Sequence, residues 1–191
     1  MKTTTDHRTL ATRRDEAFAP VFDAGARALI LGSMPGRASL DARQYYAHPR
    51  NAFWPIMASI CGFPPELGYS DRCDALRACG VALWDVLKSC VRPGSLDSNI
   101  DHRSAEVNDF GSLFDALTEL RLIVFNGAMA EQLFRRYVVP LHAERLQTID
   151  MQRLPSTSPA MASLNLEQKR VQWMAALGPL CSRTGSSGDR P

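Results

Sequence analysis

The chain of 191 residues has 45% hydrophobic and 22% charged residues, which is ordinary for one globular domain and excludes a largely disordered chain. Its formal net charge of +2 permits nucleic-acid binding but does not indicate it. No apolar run is long enough to span a membrane and no signal-peptide pattern is present, so we expect a cytoplasmic protein, in the cytosol or nucleoid, without a membrane partner.

The cysteines and histidines follow no recognisable ligand spacing. The five cysteines are odd in number and include no C-x-x-C pair, and the four histidines are scattered. This pattern predicts reduced thiols, with no disulfide framework, no metal site and no cofactor.

The two ends of the chain differ in composition from its middle. Residues 1–19 are polar and rich in Thr and Arg, and residues 179–191 are rich in Ser and Gly. We therefore predict a flexible arm, one domain over residues 20–178 and a disordered tail, and we expect a monomer.

Short apolar runs predict four buried strands, at residues 28–31, 81–84, 122–125 and, more weakly, 146–149. Between them, apolar residues recur at helical spacing. These apolar stripes are Phe53, Ile56, Met57 and Ile60; Phe110, Leu113, Phe114 and Leu117, with Asn108 as N-cap; Met129, Leu133, Phe134 and Tyr137; and Val171, Met174 and Leu177. The alternation predicts a three-layer α/β/α sandwich with a central, mostly parallel four-stranded sheet, and places function beyond the carboxyl ends of the strands.

A turn of sequence Gly32-Ser33-Met34-Pro35-Gly36 follows the first predicted strand. Its glycines allow the backbone to come close to a ligand, but it is neither a nucleophile elbow nor a P-loop. On this turn alone, a small-molecule hydrolase or a nucleotide-binding module stays open, although no nucleophile–base pair supports the former.

The segment at residues 44–54, of sequence QYYAHPRNAFW, decides between these options. Together with the turn it resembles motif 1 of the uracil-DNA glycosylase superfamily, and its exact sequence is most similar to that of the hypoxanthine-DNA glycosylase family. The resemblance covers residues 20–178. It implies an enzyme that flips a deaminated purine out of DNA and hydrolyses its N-glycosidic bond. The closely spaced cysteines of the branches that carry an iron–sulfur cluster are absent from the sequence.

The resemblance also suggests which residue is catalytic. Where related branches carry a catalytic Asn or an acidic residue in the turn, this chain has Met34, which cannot activate water. The resemblance implies that the polar residue has moved to Asn51. The alternative role of Asn51 is to cap the helix that starts at Phe53.

The base pocket is predicted from the same segment and from the second strand end. The resemblance assigns Tyr46 to stacking on the flipped base, with Ser33 and Met34 of the turn beside it, whereas Tyr45 and His48 are interpreted as structural. Asp85 stands where the superfamily has an Asn that reads the base. A carboxylate there would accept N1–H of hypoxanthine and repel N1 of adenine, although it would accept uracil N3–H equally well. Its alternative role is a turn cap.

Two further strand ends complete the predicted site. Asn126 is interpreted as a cap or loop brace, and Gly127 as allowing close packing. Residues 154–160 resemble motif 2, which holds DNA phosphate, so Ser156, Thr157 and Ser158 are predicted DNA contacts together with Arg50. An ordinary Pro- and Ser-rich turn is the alternative. The basic residues Lys88, Arg92 and Arg103 and the polar segment 95–99 could contact phosphates, but they are interpreted as solvated.

The function predicted from the sequence is therefore a deoxyinosine DNA glycosylase acting on double- or single-stranded DNA. Two alternatives keep the fold. One is a glycosylase for uracil or xanthine, and the other is an inactive DNA-binding relative, which the inert Met34 makes conceivable.

Overall fold

The computed structural model describes residues 14–181. Most of the predicted N-terminal arm and C-terminal tail therefore lies outside the described residues. The inner parts of both predictions are wrong, because residues 14–16 form a strand and the last helix continues through Cys181.

Seven strands are described: β1 (Arg14–Glu16), β2 (Ala28–Gly32), β3 (Val81–Asp85), β4 (Leu87–Val91), β5 (Glu106–Val107), β6 (Leu122–Asn126) and β7 (Asp150–Leu154). Seven α-helices are described: α1 (Arg37–Ala42), α2 (Phe53–Cys61), α3 (Tyr69–Ala78), α4 (Phe110–Ala116), α5 (Ala128–Tyr137), α6 (Val139–Leu146) and α7 (Leu166–Cys181). A short 3-10 turn covers Asp97–Asn99. None of the described helices is long and apolar enough to cross a membrane.

The central sheet has four parallel strands in the order β3-β2-β6-β7, flanked by helices. Its two middle strands, β2 and β6, consist almost entirely of buried apolar residues, which is what a sheet covered on both faces requires. The predicted fold class is confirmed, and the sheet is parallel throughout.

The fourth predicted strand was misplaced. Residue 146 is the last of helix α6, and residues 147–149 form the turn after it. The strand itself is Asp150–Leu154. This edge strand exposes most of its side chains and buries only Leu154, so it carries no apolar run for a sequence pattern to detect.

A second, three-stranded antiparallel sheet in the order β1-β4-β5 was not predicted. Its strands are short and partly polar. Strand β1 buries the charged residue Asp15, which reaches the site described below.

The first three predicted helical stripes pack into the core as expected, and two details need correction. Asp109 caps α4 by accepting from the Ser112 N–H at 3.1 Å, whereas Asn108 donates to the carbonyls of Asp85 and Leu87. Helix α7 buries a face spaced by four residues; of the predicted stripe, Leu177 belongs to that face, whereas Val171 is 57% exposed. The buried residues of that face are Lys169, Trp173, Leu177 and Cys181.

Candidate active site

One cavity of about 650 Å³ opens at the carboxyl ends of the parallel strands, where β2 ends at Gly32 and β6 at Asn126. This volume is in the range of small-ligand sites. The cavity joins the 32–36 turn, residues 45–51, residues 95–97 and the 154–160 loop. Its lining includes these predicted residues: Ser33, Met34, Tyr46, Arg50, Asn51, Ser156, Thr157 and Ser158.

The 32–36 turn presents backbone donors to this cavity. Its carbonyls are occupied: Gly32 O accepts from the Val86 N–H at 2.9 Å and Ser33 O from the Leu87 N–H at 3.1 Å. By contrast, no residue within 14–181 accepts a hydrogen bond from the N–H groups of Ser33, Met34 or Gly36. These N–H groups are therefore free to donate hydrogen bonds to a ligand in the cavity.

Arg92 fixes this turn from behind, a role that the sequence did not reveal. Its guanidinium donates to Met34 O at 3.3 Å and to Pro35 O, and its side chain is 0% exposed. Asp15 compensates this buried charge from 3.6 Å and also accepts from Arg37 at 3.1 Å. The interpretation of Arg92 as solvated is wrong.

Tyr46 stands on the cavity wall in an unusual backbone conformation. Its φ of 53° lies in the left-handed region, which costs a residue with a side chain about 1 kcal/mol or more. Its ring stacks on Phe53, with centroids 4.0 Å apart and planes 25° apart. The half-buried ring lines the cavity, as its predicted stacking role requires. Tyr45 is structural as predicted, because it is buried and its hydroxyl donates to the carbonyls of Phe18 and Ala19.

Asn51 combines a structural contact with a free donor. Its Oδ1 accepts from the Phe53 N–H at 3.0 Å, although the formal N-cap of α2 is Ala52. No described residue accepts from its Nδ2, and Asn51 lines the cavity. The two roles considered for Asn51 are therefore compatible. His48 is a turn residue as predicted, since its Nδ1 accepts from the Arg50 N–H at 3.1 Å.

Asp85 is close to the cavity but does not line it. A Cβ at position 32 would overlap its carboxylate, so Asp85 packs directly against Gly32, close to the hydroxyl of Tyr46. Its Oδ2 is buried and has no hydrogen-bond partner within residues 14–181. Burial, with a smaller contribution from Asp97, raises the pKa of Asp85 to about 8, and Arg92 opposes this rise. The direct base contact predicted for Asp85 would need a change in this arrangement.

Asp97 is an acidic cavity residue that the sequence pattern did not single out. Its Oδ1 accepts from the Ser33 hydroxyl at 2.8 Å and lies 3.8 Å from the Arg92 guanidinium. Its side chain is 42% exposed and lines the cavity. Burial raises its pKa, and the Ser33 hydrogen bond and Arg92 act against that rise. The residue sits in a short 3-10 turn with no recognisable motif, so only the fold reveals its position.

Thr157 anchors the 154–160 loop through two hydrogen bonds to Asn126 at the end of β6 and one from Ala52, just before helix α2. Asn126 Nδ2 donates to Thr157 Oγ1 at 2.8 Å, the Thr157 N–H donates to Asn126 Oδ1 at 2.8 Å, and the Ala52 N–H donates to Thr157 O at 3.0 Å. Asn126 is thus a loop brace, as predicted. Thr157 is fully buried, and its hydrogen bonds to Asn126 indicate a positioning role within the loop, whereas its contact with DNA stays a prediction.

The same loop approaches Gly127 and helix α7. A Cβ at Gly127, whose φ is +100°, would lie 2.9 Å from Ser156 Cβ. This glycine therefore allows the 154–160 loop to pack closely, whereas the sequence predicted close packing of a helix on a strand. From α7, the Trp173 Nε1–H donates to Pro155 O at 3.0 Å and Lys169 Nζ to Met161 O at 2.8 Å. Neither α7 residue was identified from the sequence.

The predicted phosphate contacts lie at the cavity rim. Ser156 and Ser158 are half-buried and line the cavity, whereas Arg50 is exposed beside it. The Ser156 hydroxyl oxygen accepts from the Ser158 N–H at 3.2 Å, which orders the loop. The predicted grouping of motif 1 and motif 2 residues around one cleft is thus observed, with Asp85 behind it.

Comparison with known proteins agrees with this geometry. A family model of the uracil DNA glycosylase superfamily matches residues 19–177. The chain belongs to the uracil DNA glycosylase superfamily. It is therefore a DNA glycosylase by family, and DNA is its class of substrate.

Two relatives and one solved structure refine this membership. Proteins described as hypoxanthine DNA glycosylases from Methanosarcina barkeri and Methanosarcina acetivorans are 40% identical over 115 residues and 39% identical over 114 residues. These alignments cover 60% and 59% of this chain and 72% and 71% of the relatives. The NMR structure of a Methanosarcina acetivorans protein, proposed to be a uracil DNA glycosylase, matches with a TM-score of 0.72 at 32% identity and covers 88% of this chain and 99% of that one.

Proposed function

We propose that this protein excises hypoxanthine from deoxyinosine in DNA by hydrolysing the N-glycosidic bond. One observation carries the proposal: Asn51 and Tyr46 line the same cavity as Ser156 of the 154–160 loop. A base-stacking ring, a polar side chain free to contact the sugar and a phosphate-binding loop must share one cleft in an enzyme that flips a nucleotide. The two relatives described as hypoxanthine DNA glycosylases support the choice of base.

Each part of the cavity has a distinct task in this proposal. The ring of Tyr46 replaces the stacking that the flipped base loses, an interaction of about 1–3 kcal/mol. The free N–H groups of the 32–36 turn donate to the base oxygen O6. Ser156 and Ser158 contact the phosphates, and they set the position of the nucleotide without reading its sequence.

Asn51 acts on the sugar. As the C1′–N9 bond breaks, the bonding electrons leave with the purine and positive charge grows on the sugar ring. The amide of Asn51 orients the attacking water near C1′ and stabilises this charge. A neutral amide is a poor base, so its contribution is orientation and electrostatics rather than proton abstraction. Met34, buried in the turn, contributes shape alone.

A strand-cleavage assay tests the proposal. Matched duplexes and single strands carrying one inosine, uracil, xanthine or adenine are incubated with the protein, treated with alkali and resolved by size. We expect cleavage at inosine to be the fastest, as the two relatives suggest. We expect adenine to be the slowest in duplex DNA, because a base in a sound pair is harder to extrude than a deaminated base in a poor pair. Binding without cleavage of any lesion would replace this proposal with a DNA-binding relative that lacks activity.

Uracil excision is the second candidate function. It is favoured by the solved relative proposed to be a uracil DNA glycosylase, which matches over 88% of this chain. Uracil also presents an oxygen beside an N–H, so the turn would accept both bases. The ratio of inosine to uracil cleavage decides between the two candidates.

A further inference from the structure

Asp97 stands beside the free donors of the 32–36 turn. Its Oδ1 is held by the Ser33 hydroxyl at 2.8 Å, so its Oδ2 is the carboxylate oxygen left for a ligand. The N–H of the same Ser33 has no acceptor among the described residues. One short stretch of cavity wall therefore presents a donor next to an acceptor.

This donor–acceptor pair matches one edge of a 6-oxopurine. Hypoxanthine presents O6, an acceptor, next to N1–H, a donor. Adenine presents the opposite order, because its 6-amino group donates and its N1 accepts. The wall described here would therefore satisfy both groups of hypoxanthine and leave both groups of adenine unpaired.

From this geometry we infer that Asp97 is the specificity-determining residue of the site and accepts N1–H of the flipped 6-oxopurine. The inference rests on the proposed glycosylase function. It assigns base reading to Asp97, which lines the cavity, rather than to Asp85, which packs against Gly32 and does not line it. Arg92, 3.8 Å away, favours the anionic form that a hydrogen-bond acceptor requires.

The Ser33 hydroxyl makes the Asp97→Asn variant informative. With the amide oxygen accepting from Ser33, the amide NH₂ faces the base and offers a donor where the wild type offers an acceptor. That arrangement is complementary to N1 of adenine. Asp97→Asn should therefore lower single-turnover cleavage of inosine DNA by roughly 10–100-fold, the scale of losing one polar contact, and raise the adenine-to-inosine cleavage ratio.

The experiment measures single-turnover rates on inosine and adenine duplexes for the wild type, Asp97→Asn, Asp97→Ala, Asp85→Asn and the control Asp101→Asn. Asp101 is exposed in the same segment and contacts the Arg103 N–H, so its variant removes a nearby charge from outside the cavity. We expect Asp97→Ala to lose inosine cleavage without gaining adenine cleavage. An unchanged adenine-to-inosine cleavage ratio in Asp97→Asn, or a change of this ratio only in Asp85→Asn, would overturn the inference. The proposed function is tested separately, by whether the wild type cleaves inosine DNA.

A separate cluster of three thiols lies away from this cavity. The Sγ atoms of Cys61, Cys79 and Cys181 lie within 4.8 Å of one another, although the residues are far apart in sequence. They come from the end of α2, the residue after α3 and the end of α7. The expectation of no metal site was based on sequence spacing, which cannot detect such a grouping.

The geometry of this cluster points to a binding site for a thiophilic d¹⁰ cation such as Zn²⁺. Zinc–sulfur bonds of about 2.3 Å place the sulfurs of one ion about 4 Å apart, so small side-chain shifts would bring the three thiolates to one centre. Water would fill a fourth position.

Metal content and melting temperature test this second inference. The full-length protein, kept reduced, is titrated with Zn²⁺ alone, and bound zinc and Tm are measured for the wild type, Cys79→Ser and the control Cys73→Ser. Cys73 is a buried free thiol on α3 outside the cluster. We expect one zinc per chain and a raised Tm in the wild type and Cys73→Ser, and neither in Cys79→Ser. Equal zinc binding by both variants, or none by the wild type, would overturn the inference.

Discussion

The roles of Asn51 can be separated because its two amide atoms have different tasks. Its Oδ1 accepts from the Phe53 N–H at 3.0 Å, whereas its Nδ2 has no acceptor among the described residues. Asn51→Ala removes both atoms. Asn51→Ser retains an oxygen that can accept from the start of helix α2 but removes the amide.

The expected magnitudes keep the two roles apart. Loss of a capping contact costs about 1 kcal/mol, which for a chain of this size lowers Tm by about 2–4 °C. Loss of a well-placed electrostatic contact to the transition state costs about 10²-fold in rate, or roughly 2.7 kcal/mol. A loss of about 1 kcal/mol in stability leaves almost all of the protein folded at 25 °C. It therefore cannot cause a loss of about 10²-fold in rate.

Single-turnover cleavage of an inosine duplex, with Tm and DNA affinity measured in parallel, is the assay. We expect both variants to lose about 10²-fold in rate, only Asn51→Ala to lose Tm, and both to bind the duplex nearly as well as the wild type, because phosphate contacts from the 154–160 loop supply most of the affinity. Near-normal cleavage by Asn51→Ser would refute the catalytic role and leave Asn51 as a cap.

Three further predictions concern the groups behind the cavity. Arg92→Met should destabilise the protein by about 3 kcal/mol, measured by urea unfolding, because it leaves Arg37 as the remaining cation at the buried Asp15 carboxylate and removes the donor to the carbonyls of Met34 and Pro35; an effect below about 1 kcal/mol would contradict this. Thr157→Val should lose the side-chain hydrogen bond to Asn126, cost about 1 kcal/mol in thermal melts and weaken DNA binding in titrations; unchanged binding would separate the loop from DNA contact. The raised pKa of Asp85, about 8 in the folded state, means that the folded state binds the extra proton, so stability should fall as pH rises from about 4 to 8. Asp85→Asn should flatten this part of the Tm–pH curve, and parallel curves would contradict the argument.

The sequence predicted the parts of this molecule that depend on local pattern. The apolar runs at β2, β3 and β6 identify the buried strands, and the 32–36 turn with residues 44–54 identifies the family. Both signals are contiguous, since a buried parallel strand and a ligand-binding turn each need their residues next to one another. Strand β7 has no such signal because one edge and most of its side chains face solvent.

The parts that could not be predicted depend on contacts between distant segments. Arg92 and Lys169 look like ordinary surface cations in sequence, yet both are buried and donate to backbone carbonyls of site loops. Asp15 belongs to a segment whose composition is that of a loose arm. Burial of such charges is favourable only when groups from other elements neutralise them or form hydrogen bonds with them. The local sequence pattern does not indicate which groups those are.

The presence of Met34 in place of a polar or acidic side chain has a physical consequence for the rest of the turn. An acidic residue there would place a negative charge among N–H groups that otherwise point at the base, and it would compete with the base oxygen for them. With Met34 buried and its carbonyl bonded to Arg92, those donors remain free. In the proposed function, Asp97 from another loop supplies the acceptor of the wall, and Asn51 supplies the polar group for the sugar. In this arrangement, base reading and contact with the sugar depend on different segments. A single substitution should therefore remove one of them and leave the other.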